Sequence, residues 1–376
     1  MIRKNQTTRN RVSMKFIRST VPLLFLLMIL ACDSDNPICG IDGTAVEENG
    51  IILTLRQKAD SPPAHVSVLL KADMKSDVGR NVPLTNLRAS NFTIFENDSR
   101  ISVESTHAIV PKPGVFISHT LLLLDLSGSI LEDSASLEKL KDASTKFIDA
   151  IIPASNSEGF GEIDMAIDWF DGEQKLHQLV PFTTNADALR DGIKRIREGI
   201  SRDRSTNLNG AVIDGAKKVK DMTGIEDGVV SIGALAIFTD GKDQAARKSQ
   251  KKALEAVDDA SQESVSIYTV GLGNEIDKST LRAFGKDGFF FADDIEELAA
   301  EFEEIATQIN DDVNSHYLVE YCSPKRNGDH SLKIVVSYQN LDGSITTCFD
   351  ADDFRGGCEL QKTSILARTT KRRSDD

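Results

Sequence analysis

The chain has 376 residues, 40% apolar and 27% charged, which is enough to bury more than one core and excludes a disordered or fibrous chain. Its 44 Lys and Arg against 58 Asp and Glu give a net charge of −14, and six of those cations lie in the first 31 residues, which hold no acid. Without that segment 38 basic side chains face 58 acidic ones, a net of −20, which excludes nucleic acid as a partner because phosphate binding needs clustered Lys and Arg.

The N-terminus reads as an address. Residues 1–20 are cationic and Val21 to Ala31 form an apolar run that stops at Cys32. Eleven residues are too few to span a hydrocarbon core of ~30 Å as a helix, so the run reads as the h-region of an export signal. The stretch Ile29-Leu30-Ala31-Cys32 resembles a bacterial lipobox, which implies a lipid on Cys32. The expected division is a lipoprotein signal peptide at 1–31 and a polar tether at 32–49. Export to the bacterial cell envelope follows, with the inner or outer membrane left open.

From residue 50 to 114 apolar and polar residues alternate in IILTLRQ, HVSVLLKA, NFTIFEND and ISVESTHAIV, with turn residues between them. Such alternation with β-branched enrichment predicts strands, here of a β-sandwich-like domain. At residue 115 the pattern becomes strands alternating with helices, up to about 314, which predicts a parallel sheet flanked by helices. TLLLLD, ending at Asp125, is a run apolar on both faces, as a central strand requires. Helices are expected at Leu137–Ile152, from an Asn185 cap to Glu198, at Leu208–Met222, at Gln244–Gln262 and at Ile295–Val313. Strands are expected at 162–170, 176–182, 232–238, 264–271 and 289–291. Strand patterns return in HYLVEYC, SLKIVVSY and SITTCFD, so residues 315–360 are expected to pack with the first β-domain. A polar tail, 361–376, closes the chain.

Cys39, Cys322, Cys348 and Cys358 remain once Cys32 is set aside, and in an exported chain without CxxC they point to disulfides rather than zinc. Three pairings are possible. The expected one joins Cys322 to Cys348, on neighbouring predicted strands, and leaves Cys39 with Cys358.

The chemistry concentrates in Asp125-Leu126-Ser127-Gly128-Ser129, directly after the most buried strand. Ligands of open α/β sheets bind where loops leave the carboxyl ends of strands. One carboxylate and two hydroxyls on a tight turn are hard oxygen donors of low total charge, suited to Mg²⁺, Mn²⁺ or Ca²⁺. Two further loops add the Thr206 hydroxyl, in Ser205-Thr206-Asn207-Leu208, and the Asp240 carboxylate, in Thr239-Asp240-Gly241. Singly, Asp125 could be a helix cap and Asp240 a turn residue; the set is what points to a cation.

Together these residues resemble the metal-ion-dependent adhesion site of the von Willebrand factor A family: DxSxS, a threonine in a TNL-type loop and an aspartate in a TDG-type loop. The resemblance implies a doubly wound, Rossmann-like α/β fold over 115–314, with flanking β-sandwich segments from the N- and C-terminal regions. It implies that Ser127, Ser129 and Thr206 bind the ion directly and that Asp125 and Asp240 bind it mostly through water. It also implies a protein partner that offers an acidic residue to the ion. The alternative is a structural or assembly factor of an envelope complex, in which the metal only stabilises the fold.

No catalysis is expected. The six histidines are scattered without HExxH, and Ser127 and Ser129 lie outside a GxSxG elbow. Gly271-Leu272-Gly273 is a lone GxG, read as a turn. Trp169, the only tryptophan, reads as core, and the acidic helix near residue 300 as a solvated face.

Overall fold

Leu121 to Leu124 show how the chain is layered. The computed structural model describes residues 44–76, 81–102, 106–109, 116–152, 162–226, 229–273 and 276–358. Within them Leu122 and Leu124 point into one apolar core and Leu121 and Leu123 into another. A strand alternates its side chains between two faces, so a strand apolar at every position is buried on both.

Seven strands precede the α/β segment: β1 (Ala45–Glu48), β2 (Ile51–Ser61), β3 (His65–Met74), β4 (Val82–Pro83), β5 (Phe92–Glu96), β6 (Ser99–Arg100) and β7 (Thr106–Ile109). The α/β segment then runs β8 (Phe116–Asp125), α1 (Gly128–Leu131), α2 (Ser134–Ile151), β9 (Glu162–Phe170), β10 (His177–Thr183), α3 (Ala186–Lys194), α4 (Leu208–Lys220), β11 (Gly224–Glu226) and β12 (Val229–Thr239). It continues α5 (Gln250–Gln262), β13 (Val265–Leu272), α6 (Lys278–Phe284), β14 (Gly288–Ala292) and α7 (Leu298–Asn314). Three strands follow: β15 (His316–Cys322), β16 (Asp329–Tyr338) and β17 (Leu341–Asp350).

The central sheet has the order β10-β9-β8-β12-β13-β14, parallel from β9 through β14, with β10 an antiparallel edge and β11 paired to β12. Helices α2, α3 and α7 cover one face, where Leu140, Phe147, Leu189, Phe302 and Ile305 bury against the strands. Helices α4, α5 and α6 cover the other through Val212, Ala216, Val257 and Phe284. Caps define the helix starts: Asp133, Asn185 and Asp277 each accept two backbone N–H bonds in the first turn of α2, α3 and α6.

Strands from before and after the α/β segment share two antiparallel sheets. One has the order β1-β2-β3-β15-β7, with β4 on β3; the other is β17-β16-β5-β6. They pack face to face over Leu53, Val68, Leu70, Tyr317, Val319, Ile334 and Phe349. The opposite face of the first sheet gives Leu69 and Leu318, register partners, to the core beneath α2 and α7. On that same side the buried Lys71 pairs with Asp312, near the end of α7.

Several expectations change. Residues 45–48, expected as tether, form β1, because Ala45–Glu48 finds an antiparallel partner in Ile51–Thr54. The helix expected from Gln244 begins at Gln250, since Thr206 O holds the Gln244 and Ala245 amides, Ala246 sits at φ 50° and Ser249 caps the helix. The short helices α1 and α6 were not expected.

The cysteine pairing is corrected: Cys322 bonds Cys358, 36 residues on, and neither expected partnership stands. Cys322 lies in the first sheet opposite His65, whereas Cys348 lies in the second opposite Ser331, so the two strands are not neighbours. The chain after β17 returns toward Cys322, with the Arg355 amide donating to Pro63 O beside the Ser323–Ala64 bond. Cys348 is itself in a disulfide. The segment expected as a signal peptide, Cys32, Cys39 and the expected 361–376 tail lie outside the described residues. Among the described residues no helix is long and apolar enough to cross a membrane.

Candidate metal centre at the sheet edge

Parallel neighbours in register deliver their last residues to one edge. Leu124 pairs with Phe238, so Asp125 and Thr239 follow side by side, and Asp125 pairs with Phe170 on the other flank. Asp125, Asp171 and Asp240 therefore leave three adjacent strands at one rim.

Asp125 is fully buried. Its Oδ1 accepts the Ser127 N–H at 3.1 Å and its Oδ2 accepts the Thr239 hydroxyl at 2.6 Å. The first bond closes an Asx-type turn, which aims the chain into α1. Ser127 precedes α1 and Ser129 lies in its first turn, with their hydroxyl oxygens 3.3 Å apart. Ser127 is buried and Ser129 exposed, so the pair bridges from interior to solvent. Gly128 permits the approach of the second loop: its N–H donates to Arg204 O at 3.0 Å, and a Cβ there would meet the Arg204 Cβ at 3.1 Å. Arg204 also pairs with Glu132, across the same junction.

Thr206 is buried, and its carbonyl accepts from Gln244 and Ala245, at 2.8 and 3.0 Å, in the loop that follows Asp240. Its hydroxyl faces the start of that loop: a Cβ on Gly241 would lie 3.4 Å from Thr206 Oγ1. Thr239 completes the join: its hydroxyl proton goes to Asp125, and its oxygen accepts the Gly241 amide at 3.2 Å. Thus the structure brings the serine pair, Asp125, Thr206 and the Asp240 loop to one rim. Burial, then the neighbouring Asp240 carboxylate, push the Asp125 carboxyl up to about 7, while its bonds from Thr239 and Ser127 pull the other way.

The donor set fits a hard divalent ion: three hydroxyls and two neighbouring carboxylates, with no sulfur or nitrogen. The groups that hydrogen-bond Asp125, from Ser127 and Thr239, are neutral. A cation would supply the compensating charge.

Residues 121–305 match the von Willebrand factor type A domain family. This segment is a von Willebrand factor type A domain. Solved structures similar to the chain include proximal thread matrix protein 1 of the mussel byssus, at 15% identity and TM-score 0.41, covering 58% of this chain and 50% of that one. The chain thus spans about half the length of that mussel protein. A von Willebrand factor type A protein from Catenulispora acidiphila is 12% identical, TM-score 0.43, covering 83% and 76%. Manganese-loaded TRAP protein from Plasmodium vivax is 13% identical, TM-score 0.41, covering 66% and 97%. No curated protein matches the chain.

Reading the sequence missed three parts of the type A domain's rim. Thr239 orients Asp125, Asp171 accepts the Asn207 amide at 2.9 Å through its carbonyl, and Asp243 accepts the Asn209 amide at 3.0 Å. A signal existed for Asp171: Phe170-Asp171-Gly172, at the end of β9, repeats the aspartate–glycine ending of Thr239-Asp240-Gly241.

Proposed function

We propose that the type A domain binds a divalent cation through Asp125, Ser127, Ser129, Thr206 and Asp240, and through that ion a carboxylate of a protein partner. The hydroxyls of Ser127, Ser129 and Thr206 ligate the ion, and Asp125 and Asp240 balance its charge. The observation that carries the reading is the mutual contact of three loops at the carboxyl end of β8: Gly128 to Arg204, Thr206 to Gln244 and Ala245, and Thr239 to Asp125. An ion that keeps electrophilic character behind neutral hydroxyls attracts an acidic side chain, even to a chain of net charge −14. Mg²⁺ is the first expectation, with Mn²⁺ and Ca²⁺ as substitutes.

Within this reading the chain is exported and held at the bacterial cell envelope by a lipid on Cys32. Cys32→Ser should then move it from the membrane fraction to the soluble one.

Capture from envelope extract with Mg²⁺, with EDTA and with Asp125→Ala tests the binding role. The expected result is a partner retained with Mg²⁺ by wild type and lost in both other arms. Retention in EDTA contradicts it. If Mg²⁺ raises the melting temperature but no partner is retained, the ion is a structural staple instead.

A further inference from the structure

The hairpin beside this rim gathers a second group of ligand-type atoms. β9 ends at Phe170 and β10 begins at His177, and the antiparallel register sets His177 opposite Trp169. Their rings stack with centroids 3.9 Å apart and 11° between planes, which fixes the imidazole. Its Nε2 lies 3.7 Å from Asp171 Oδ1 and 3.4 Å from Glu173 Oε2.

These separations are informative. N–H···O bonds cluster at about 2.7–3.2 Å, and His177 Nε2 is buried with no hydrogen-bond partner among the described residues. Ligands about 2.0–2.2 Å from a common ion, at tetrahedral to octahedral angles, lie roughly 3–3.6 Å from one another; the 3.4 Å separation falls in that range and the 3.7 Å one just beyond it. The carboxylate of Asp171 is fully buried and held in place: Oδ1 accepts the Glu173 amide at 2.8 Å and Oδ2 accepts the Ser201 hydroxyl at 2.7 Å. Glu173 and His177 are partly open to solvent, which leaves a way in.

We propose that Asp171, Glu173 and His177 form a second metal site, separate from the one at Asp125. One imidazole with two carboxylates favours a borderline divalent ion of the Zn²⁺, Co²⁺, Ni²⁺ class, unlike the all-oxygen set beside it. The ion closes the Asp171–Glu173 turn, which holds Asn207 through two bonds: the Asn207 amide to Asp171 O at 2.9 Å and Asn207 Nδ2 to Glu173 O at 2.8 Å. Asn207 follows Thr206, so occupancy here stiffens a loop of the neighbouring site.

Trp169 is the only tryptophan and it stacks on the proposed ligand, so its emission reports the site. Purified protein is titrated with Ni²⁺ or Co²⁺, both paramagnetic quenchers, and Zn²⁺ is then added as competitor. The expected result is saturable quenching, reversed by Zn²⁺, in wild type and equally in Asp125→Ala. His177→Gln and Glu173→Gln should each weaken it at least tenfold, with circular dichroism showing that each is folded. Glu173 is the more exposed, so its variant carries the test if His177→Gln fails to fold. Absence of quenching in wild type overturns the proposal. Quenching kept in both variants, or lost in Asp125→Ala, overturns it by placing the ion elsewhere.

Discussion

The Thr239 hydroxyl donates to Asp125 Oδ2 at 2.6 Å, across the ends of two parallel strands. That bond settles which way the buried carboxylate faces, and it needs both strands in register. Partners that orient charge-balancing groups around a metal are worth about 10–100-fold in affinity. Thr239→Val keeps the volume and removes the donor. Mg²⁺ or Mn²⁺ affinity by calorimetry should fall 10–100-fold with the circular dichroism spectrum unchanged. Undiminished affinity would mean that Asp125 is held without Thr239.

The Cys322–Cys358 disulfide closes a loop of 36 residues over β16 and β17. Chain-entropy arguments for a loop of that size give about 3–4 kcal/mol. Cys322→Ser paired with Cys358→Ser should lower the unfolding free energy by that amount in urea, with metal affinity at the sheet edge unchanged. The bridge lies on the β-sandwich rather than on the rim.

Acid should destabilise the junction between α7 and β15. His316 is fully enclosed, and burial lowers its pKa to about 4, with Asp312 opposing the shift and Arg56 and Lys71 adding to it. The unfolded chain protonates this histidine near 6.5. Between those values the unfolded state binds more protons, so stability falls as pH drops through 6.5 to 4 and is fully present above that window. The loss is on the order of 3 kcal/mol. His316→Asn keeps a donor for Asp312 O, to which Nδ1 lies at 2.8 Å. Urea titrations from pH 7 to 4 should show a smaller slope in that variant; equal slopes would assign the acid sensitivity to other groups.

What the sequence made legible was whatever depends on local pattern. The apolar run into Asp125 announced a strand buried on both faces, and the change from alternating strands to strand–helix alternation near residue 115 announced the class of fold. The partner of each outer strand was not legible, because alternation reports which face is apolar and not which strand lies alongside. Cys322 and Cys348 are expected on neighbouring strands but sit in different sheets. Helix α6 spans seven residues, two turns at most, too short for a 3.6-residue period to register. The start of α5 was displaced by a tertiary contact, the Thr206 carbonyl holding the 244–245 amides, that no local propensity encodes. His177, Asp171 and Glu173 meet only because the hairpin register folds them together, so their spacing alone carried no signal.

Anomalous scattering from Mn²⁺-soaked crystals tests most directly whether one ion sits among the three loops. The expected result is a peak about 2.1–2.3 Å from the hydroxyl oxygens of Ser127, Ser129 and Thr206, with the carboxylates of Asp125 and Asp240 at ligand or water distance. A saturating soak that leaves this position empty, or a peak that touches only one of the loops, would contradict it.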